Sequence, residues 1–153
     1  MKNIVHADNN FRSYPKTTKE SKRFSNKIDK ENSKKVLIIE DQEIARKVHT
    51  FYLEPFQLTL TFASDAKSAL KTITNSNSPF GLILLDIGLP DINGLLLAKQ
   101  LRAKGVTAPI VVVSANSVSM KQKKLLKVYI QAFYVKPLSE KQYKKIIGEF
   151  LSN

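Results

Sequence analysis

The chain has 153 residues, of which 42% are hydrophobic, and it carries a formal net charge of +12 at pH 7. This length and composition suit one domain with a substantial core and room for an arm. The absence of cysteine excludes a disulfide framework and a thiolate metal site, and no stretch approaches the roughly 20 apolar residues of a membrane-spanning helix. We therefore expect a soluble protein of the cytoplasm.

Residues 1–34 are predicted to form a basic, disordered arm. They mix Asn, Ser, Thr and Lys with isolated aromatic residues and show no helical or strand periodicity. Residues 1–35 hold ten Lys or Arg against four Asp or Glu, which is half of the net charge. Arginine and aromatic residues are interleaved in the arm at Phe11, Arg12, Tyr14, Arg23 and Phe24. This composition is compatible with contacts to acidic partners such as single-stranded nucleic acid or an anionic membrane.

The remaining residues, 35–153, alternate short apolar runs with segments long enough for helices. The predicted strands are 35–40, 58–64, 80–86, 108–115 and 132–137. The predicted helices are 42–53, 65–74, 94–105, 119–130 and 139–151. Continuous apolar runs at 36–39, 82–85 and 110–113 are typical of strands buried on both faces of a parallel sheet, and right-handed crossovers then place helices on both sides. The pattern predicts an α/β fold.

Several residues predict where helices begin and end. Ser64 is expected to cap the second helix, Asn93 with Gly94 to open the third, and Ser139 to cap the last. Gly105 is expected to close the third helix.

Polar side chains are predicted at the carboxyl ends of four strands, where ligands bind in open α/β sheets. Glu40 and Asp41 end the first strand, Asp86 the third, Ser114 the fourth and Lys136 the fifth. Carboxylates this close repel one another unless a cation neutralises them, and Mg²⁺ prefers a few carboxylates together with water and a phosphate. Such a site lets Asp86 form an acyl phosphate, with charge offset by Lys136 and a hydrogen bond from Ser114.

Four motifs at these strand ends, "IIEDQ", "LLDIGLPDING", "VVVSAN" and "FYVKP", carry a family resemblance. Residues 35–152 resemble the receiver domain of two-component response regulators. The resemblance implies a flavodoxin-like, doubly wound parallel sheet of five strands in the order 2-1-3-4-5, with helices on both faces.

The resemblance also implies a role for each site residue. Asp86 is the expected phosphoacceptor, and Ser114 and Lys136 are expected to contact the phosphoryl group. The expected Mg²⁺ ligands are Glu40, Asp41, Asp86 and the backbone carbonyl of Gly88. Gly88 and Asn116 hold the positions expected to tune the lifetime of the phosphoryl group.

A conformational switch is implied at Ser114 and Phe133. An aromatic residue at a strand end is equally typical of a plain core, and either role predicts that Phe133 is buried. The chain departs from the family at Tyr129, near the end of the fourth helix, where a small residue is usual. Loss of the left-handed helix cap predicts either strain or a different packing at the end of this helix.

The implied phosphoryl donor is a sensor histidine kinase or a histidine phosphotransfer protein. The implied output is contact between a downstream protein and the face formed by the fourth helix, fifth strand and fifth helix. That face is lysine-rich, which indicates either a solvated surface or an acidic partner: Lys121, Lys123, Lys124, Lys127, Lys141, Lys144 and Lys145. Because only Ser152 and Asn153 follow the last predicted helix, we expect a stand-alone bacterial receiver without a DNA-binding domain, and not an enzyme.

Three other functions place different requirements on the sequence. A flavin or nucleotide binder needs a phosphate-cradling loop after the first strand, where "IIEDQE" presents acids instead. A phosphatase of the haloacid dehalogenase type needs a second Asp two residues after its nucleophile, where Gly88 stands. A receiver-shaped interaction module acting through the basic arm and the lysine-rich face stays the main alternative.

His6 and His49 are isolated and have no second ligand at metal-binding spacing. They are predicted to have surface or packing roles.

Overall fold

The computed structural model of the protein describes residues 34–152 of the chain. The strands are β1 (Lys35–Ile39), β2 (Thr59–Ala63), β3 (Leu82–Leu85), β4 (Ile110–Ser114) and β5 (Ala132–Val135). The helices are α1 (Glu43–Leu53), α2 (Ala66–Asn75), α3 (Gly94–Ala103), α4 (Met120–Leu126) and α5 (Glu140–Phe150), with a 3₁₀ helix at Glu54–Phe56. Apart from Lys34, the predicted basic arm lies outside the described residues. Across the part of the chain that is described, no helix is both long and apolar enough to cross a membrane.

The five strands form one sheet in the order β2-β1-β3-β4-β5, and every pair is parallel. The predicted flavodoxin-like order is therefore confirmed. β1, β3 and β4 are inner strands with buried side chains throughout, apart from the half-buried Lys35 at the start of β1. Their unbroken apolar runs follow from burial on both faces, since neither face of an inner strand meets water.

Alternate residues of each inner strand enter two separate cores. Leu37 and Ile39 pack in the core beneath α2, α3 and α4, whereas Val36 and Ile38 pack in the core beneath α1 and α5. Each fully buried aliphatic side chain of this size contributes about 1.5–3 kcal/mol of transfer free energy. Helices thus cover both faces of the sheet, as predicted.

Side-chain caps set where the helices begin. Asn93 and Ser139 cap α3 and α5 as predicted. Ser64 does not cap α2; Asp65 does, and its carboxylate accepts the Ser68 N–H at 2.6 Å. The helix begins one residue later than predicted because Ser68 at the third helical position completes a reciprocal capping box with Asp65. Gly105, with φ of 86°, follows the end of α3 as predicted.

Helix α4 is shorter than predicted, ending at Leu126 instead of residue 130. Of the two expected outcomes at Tyr129, the structure has different packing and not strain, because Gln57 is the only described non-glycine residue with positive φ. The Tyr129 N–H donates to the carbonyl of Leu126, and the Tyr129 carbonyl accepts a hydrogen bond from the Arg102 guanidinium at 3.0 Å. A short turn anchored on α3 therefore replaces the left-handed cap.

Candidate functional site

Three carboxylates meet at the carboxyl edge of the sheet. Glu40 and Asp41 follow β1, and Asp86 follows β3, whose pairing with β1 sets Ile39 opposite Leu85. One oxygen from each of the three carboxylates lies within 4.8 Å of the others. Glu40 and Asp86 are buried and Asp41 is half-buried. Among the described residues, this is the one acidic or histidine cluster close enough to hold a metal ion.

Lys136 bridges the two buried carboxylates from the end of β5. Its ammonium donates to Glu40 Oε2 at 2.5 Å and to Asp86 Oδ2 at 3.3 Å. Burial raises the pKa of Glu40, and hydrogen bonds from Lys136 and the Gln42 backbone offset part of that increase. Burial alone would lower the pKa of Lys136, but the hydrogen bond to Glu40 and the charges of both acids raise it. The lysine therefore stays charged and balances part of the negative charge.

The Arg46 side chain holds the segment that carries Glu40 and Asp41. The Arg46 guanidinium donates to the carbonyl oxygens of Glu40 and Asp41 at 2.8 and 3.0 Å. The Gln42 N–H donates to Glu40 Oε1 at 3.0 Å. Arg46 has no motif signature in the sequence, since an arginine in the first turns of a helix usually indicates only a solvated side chain.

The loop after β3 approaches Asp86 closely. The Gly88 N–H donates to Asp86 Oδ1 at 3.0 Å. A side-chain carbon at Gly94 would lie 2.2 Å from the Asp86 carbonyl oxygen, so only glycine allows α3 to begin here. The sequence predicts Gly94 as a helix start but not this steric requirement.

Asp91 joins the same loop to α2. Its two carboxylate oxygens accept the N–H groups of Ala66 and Lys67 at 2.9 and 3.0 Å. These hydrogen bonds lower the pKa of Asp91, with the Ala66 bond as the largest cause. The sequence does not predict this contact, because "LPDING" around Asp91 has the composition of an ordinary turn.

Ser114 and Asn116 lie at the end of β4. Ser114 is buried, its carbonyl accepts the Lys136 N–H at 2.8 Å, and its hydroxyl accepts the Asn116 N–H at 3.3 Å. The structure therefore sets Ser114 beside Lys136. Gly88 and Asn116 are exposed at the site, and their effect on phosphoryl lifetime stays a prediction, as does the Gly88 carbonyl ligand.

Phe133 is half-buried and packs against the core, whereas both roles predict a buried residue. The reason is structural: β5 is an edge strand and α4 ends early, which leaves a cleft against the ring. The Lys123 ammonium lies 5.8 Å from the centroid of this ring. The switch role of Phe133 stays a prediction.

His49 lies in the core between α1 and α5. His49 is buried, and its Nδ1 shares a 2.8 Å hydrogen bond with the Tyr143 hydroxyl. The ring of Tyr143 stacks on the ring of Tyr52. Burial lowers the pKa of His49 to about 4. The predicted packing role for His49 is confirmed, whereas His6 lies outside the described residues.

The donor set fits a hard divalent cation. Its three members are carboxylates, the ligand type that Mg²⁺ prefers, and the half-buried Asp41 leaves the cluster open to water on one side. An ammonium at Lys136 and a buried hydroxyl at Ser114 stand on the β4 and β5 side of the acids. Such a site combines a nucleophilic carboxylate with groups that neutralise an incoming anion.

Residues 36–148 match the family model of the response regulator receiver domain. A probable transcriptional regulatory protein of Picosynechococcus is 33% identical over 75% of this chain and 49% of its own length. The two-component response regulator ORR41 of rice is 28% identical over 76% of this chain and 93% of its own length. The osmosensing histidine protein kinase SLN1 of yeast is 29% identical over 78% of this chain but only 10% of its own length. The chain thus spans half or less of the length of several relatives that it matches.

Solved structures show the same fold. The response regulator TrrA of Thermotoga maritima, solved with Mg²⁺ and BeF, has a TM-score of 0.67 and 25% identity over 77% of this chain and 99% of its own. A receiver domain from Methanospirillum hungatei has a TM-score of 0.68 and 24% identity over 77% of this chain and 93% of its own. The family match over residues 36–148 agrees with the order of the five strands and with the acidic cluster at the edge of the sheet. This chain therefore belongs to the response regulator receiver domain family.

Proposed function

We propose that the chain accepts a phosphoryl group on Asp86 from a phosphohistidine donor. The observation that carries the proposal is the contact of buried Asp86 with Lys136 at 3.3 Å, inside a cluster of carboxylates within 4.8 Å of one another. A carboxylate oxygen of Asp86 attacks phosphorus, forming a P–O bond as the P–N bond to the donor imidazole breaks. The imidazole leaves with the electron pair and takes a proton. The product is an acyl phosphate on Asp86.

Mg²⁺ would be held by Glu40, Asp41 and Asp86, with the backbone carbonyl of Gly88 as a further ligand. The bound cation would neutralise charge on the phosphoryl oxygens during transfer. Support comes from the oxygen-only donor set and from the related TrrA structure, which was solved with Mg²⁺ and BeF.

Lys136 and Ser114 would receive the phosphoryl group. Lys136 already binds Asp86, and a phosphoryl oxygen would give its ammonium a new charged partner. The Lys136 N–H donates to the Ser114 carbonyl oxygen. A shift of the Lys136 backbone would therefore move the ends of both β4 and β5. The expected output is a changed α4-β5-α5 surface, with Phe133 on β5 as the candidate switch.

The proposed partners follow from the relatives. One relative is a histidine protein kinase and another a two-component response regulator, which supports a sensor histidine kinase or a histidine phosphotransfer protein as the donor. We expect the chain to act in the bacterial cytoplasm as a phosphoacceptor and not as an enzyme that turns over an external substrate.

The test is the intact mass of the full chain after incubation with acetyl phosphate, with Mg²⁺ or with a chelator. We expect the mass of one phosphoryl group to be added only with Mg²⁺. Asp86→Asn should gain none, while the matched variant Asp91→Asn in the same loop should still gain it. Equal gain by Asp86→Asn, or no gain by the folded wild-type chain, would reject the proposed function.

A further inference from the structure

Helix α1 begins without the side-chain cap that the other four described α-helices have. Side chains at the N-cap position accept backbone N–H groups in the first turn of α2, α3, α4 and α5. Gln42, at the same position before α1, makes no such bond. A cap normally ties the loop before a helix to the first turn of that helix. The segment that carries Glu40 and Asp41 is therefore held by a different contact.

Arg46, in the first turn of α1, supplies that contact. Its Nη1 donates to the carbonyl oxygens of Glu40 and Asp41 at 2.8 and 3.0 Å. The Arg46 side chain is half-buried, and within residues 34–152 it forms no salt bridge. A planar guanidinium presents its N–H groups in a fixed geometry, so one side chain can hold two carbonyl groups in a defined arrangement. Arg46 thus fixes the backbone of the metal-site segment and occupies none of the carboxylate oxygens.

Asp41 is the member of the acidic cluster that depends most on this backbone anchor. Lys136 binds the carboxylates of Glu40 and Asp86, and both of these acids are buried. The Asp41 side chain is half-buried, and its carboxylate accepts a hydrogen bond from the exposed Gln42 side chain at 3.2 Å. Because neither burial nor the lysine holds this carboxylate, its direction is set mainly by the backbone that carries it.

We propose that Arg46 is a positioning residue for the cation site. By holding the carbonyl groups of Glu40 and Asp41, it keeps the Asp41 carboxylate directed at the place where Mg²⁺ would bind. The inference rests on the proposed function, because it concerns the same site, and it adds a residue that lies outside the acidic cluster. Arg46 itself would contact neither the ion nor the phosphoryl group.

Charge and positioning predict opposite effects when Arg46 is replaced. If the guanidinium acted only through its charge, its removal would strengthen Mg²⁺ binding, because a positive charge near the site repels a cation. If it acts by positioning Asp41, its removal weakens Mg²⁺ binding although the site becomes more negative. The sign of the change in Kd therefore separates the two explanations.

The test is the Kd of the full chain for Mg²⁺, measured by calorimetric titration with MgCl₂. Arg46→Gln removes the charge, whereas Arg46→Lys keeps the charge on a side chain that is one bond shorter and lacks the planar guanidinium. The matched control is Lys47→Gln, which removes an exposed positive charge from the next position of α1, where Lys47 pairs with Glu43. Urea unfolding checks that each variant is folded, and Arg46→Lys, the milder change, keeps the test if Arg46→Gln does not fold.

We expect the Kd for Mg²⁺ to rise on the order of tenfold in both Arg46 variants, as it does when groups that orient metal ligands are lost. Lys47→Gln should keep the wild-type Kd. In the metal-free chain, hydrogen exchange of the Gln42 amide, which donates to Glu40 Oε1, should be faster in both Arg46 variants. Unchanged or tighter Mg²⁺ binding by Arg46→Gln, or the wild-type Kd in Arg46→Lys, would overturn the proposal.

The rate of phosphorylation by acetyl phosphate distinguishes positioning of the cation from a part in phosphoryl transfer. We expect Arg46→Gln to need more Mg²⁺ for its half-maximal rate and to approach the wild-type rate when Mg²⁺ is saturating. A rate that stays low at saturating Mg²⁺, with an unchanged Kd, would overturn the proposal. A wild-type chain that binds Mg²⁺ without being phosphorylated would reject the proposed function alone, whereas a folded wild-type chain that binds no Mg²⁺ would overturn the inference about Arg46.

Discussion

Glu40, Asp86 and Lys136 show how the site holds two buried carboxylates together. Burial raises the pKa of Glu40, and the Lys136 ammonium offsets part of the charge. One ammonium does not balance three acids, so the site retains excess negative charge when the acids are ionised. A divalent cation relieves the repulsion that remains.

Added Mg²⁺ should therefore stabilise the fold. Because the ion binds the folded site and not the unfolded chain, we expect the free energy of unfolding to rise by about 2.7 kcal/mol at a free Mg²⁺ concentration a hundredfold above Kd. The measurement is thermal unfolding in MgCl₂ and in NaCl of the same ionic strength. Asp41→Ala, which removes a half-buried ligand, should lose most of the shift; equal shifts in both chains would place the ion elsewhere.

His49 should make stability fall in mild acid. The pKa of the buried imidazole is lowered from 6.5 to about 4, so below pH 6.5 the unfolded chain takes up a proton that the folded chain refuses. Stability is fully present above pH 6.5 and declines as the pH falls towards 4, by about 3 kcal/mol in total at about 1.36 kcal/mol per pH unit. The measurement is urea unfolding across this window.

The His49→Gln variant isolates this contribution. Its stability should depend less on pH than that of the wild type, whereas the matched variant His6→Gln should keep the wild-type slope. The raised pKa of Glu40 has the opposite sign, because stability is gained as that acid becomes protonated. The contribution of His49 is therefore the difference between the wild type and His49→Gln in the pH dependence of the free energy of unfolding. Equal pH dependence in the two chains would show that His49 does not cause the loss of stability in acid.

For single residues, the sequence predicts which side chains form the site better than it predicts which residues hold the surrounding backbone in place. Glu40, Asp86 and Lys136 could be placed together because parallel strands end at one edge of a sheet. The contacts of Arg46 and Asp91 could not be predicted, because both side chains bind backbone groups that the folded chain alone brings within reach.

At the scale of elements, Asp91 joins the loop between β3 and α3 to helix α2. Its carboxylate binds the first two N–H groups of α2, and the same loop carries Gly88. Asp91→Ala should free the loop that carries Gly88, a proposed Mg²⁺ ligand. We expect Mg²⁺ binding to weaken on the order of tenfold, the lower end of the effect of losing groups that orient metal ligands. Calorimetric titration with Mg²⁺ measures this, with Asp91→Asn retaining one acceptor and most of the affinity. Unchanged affinity in Asp91→Ala would separate the loop from the metal site.

Helix ends were predictable where side chains act locally. Asn93 and Ser139 cap their helices as expected, and the error at Ser64 is one residue. The end of α4 was not predictable, because Arg102 on α3 holds the turn at Tyr129 through a contact 27 residues distant in sequence. Apolar periodicity continues past Leu126, but the backbone there follows a tertiary contact.

At the scale of the whole molecule, the five strands and all candidate site residues fall within residues 35–152. Deletion of residues 1–34 should therefore leave the rate of phosphorylation unchanged, while it removes about half of the net positive charge. Intact mass over time with acetyl phosphate and Mg²⁺ compares the two chains. Loss of phosphorylation in a folded truncated chain would show that the arm is part of the site.

The phosphorylated residue can be identified directly by chemical reduction. Sodium borohydride reduces an acyl phosphate to an alcohol, so an aspartyl phosphate becomes homoserine, and peptide mass spectrometry then locates it. We predict homoserine at Asp86 after treatment with acetyl phosphate and Mg²⁺. Reduction at Glu40, Asp41 or another acid, or an unreduced Asp86 in a folded chain that received the same treatment, would contradict the account.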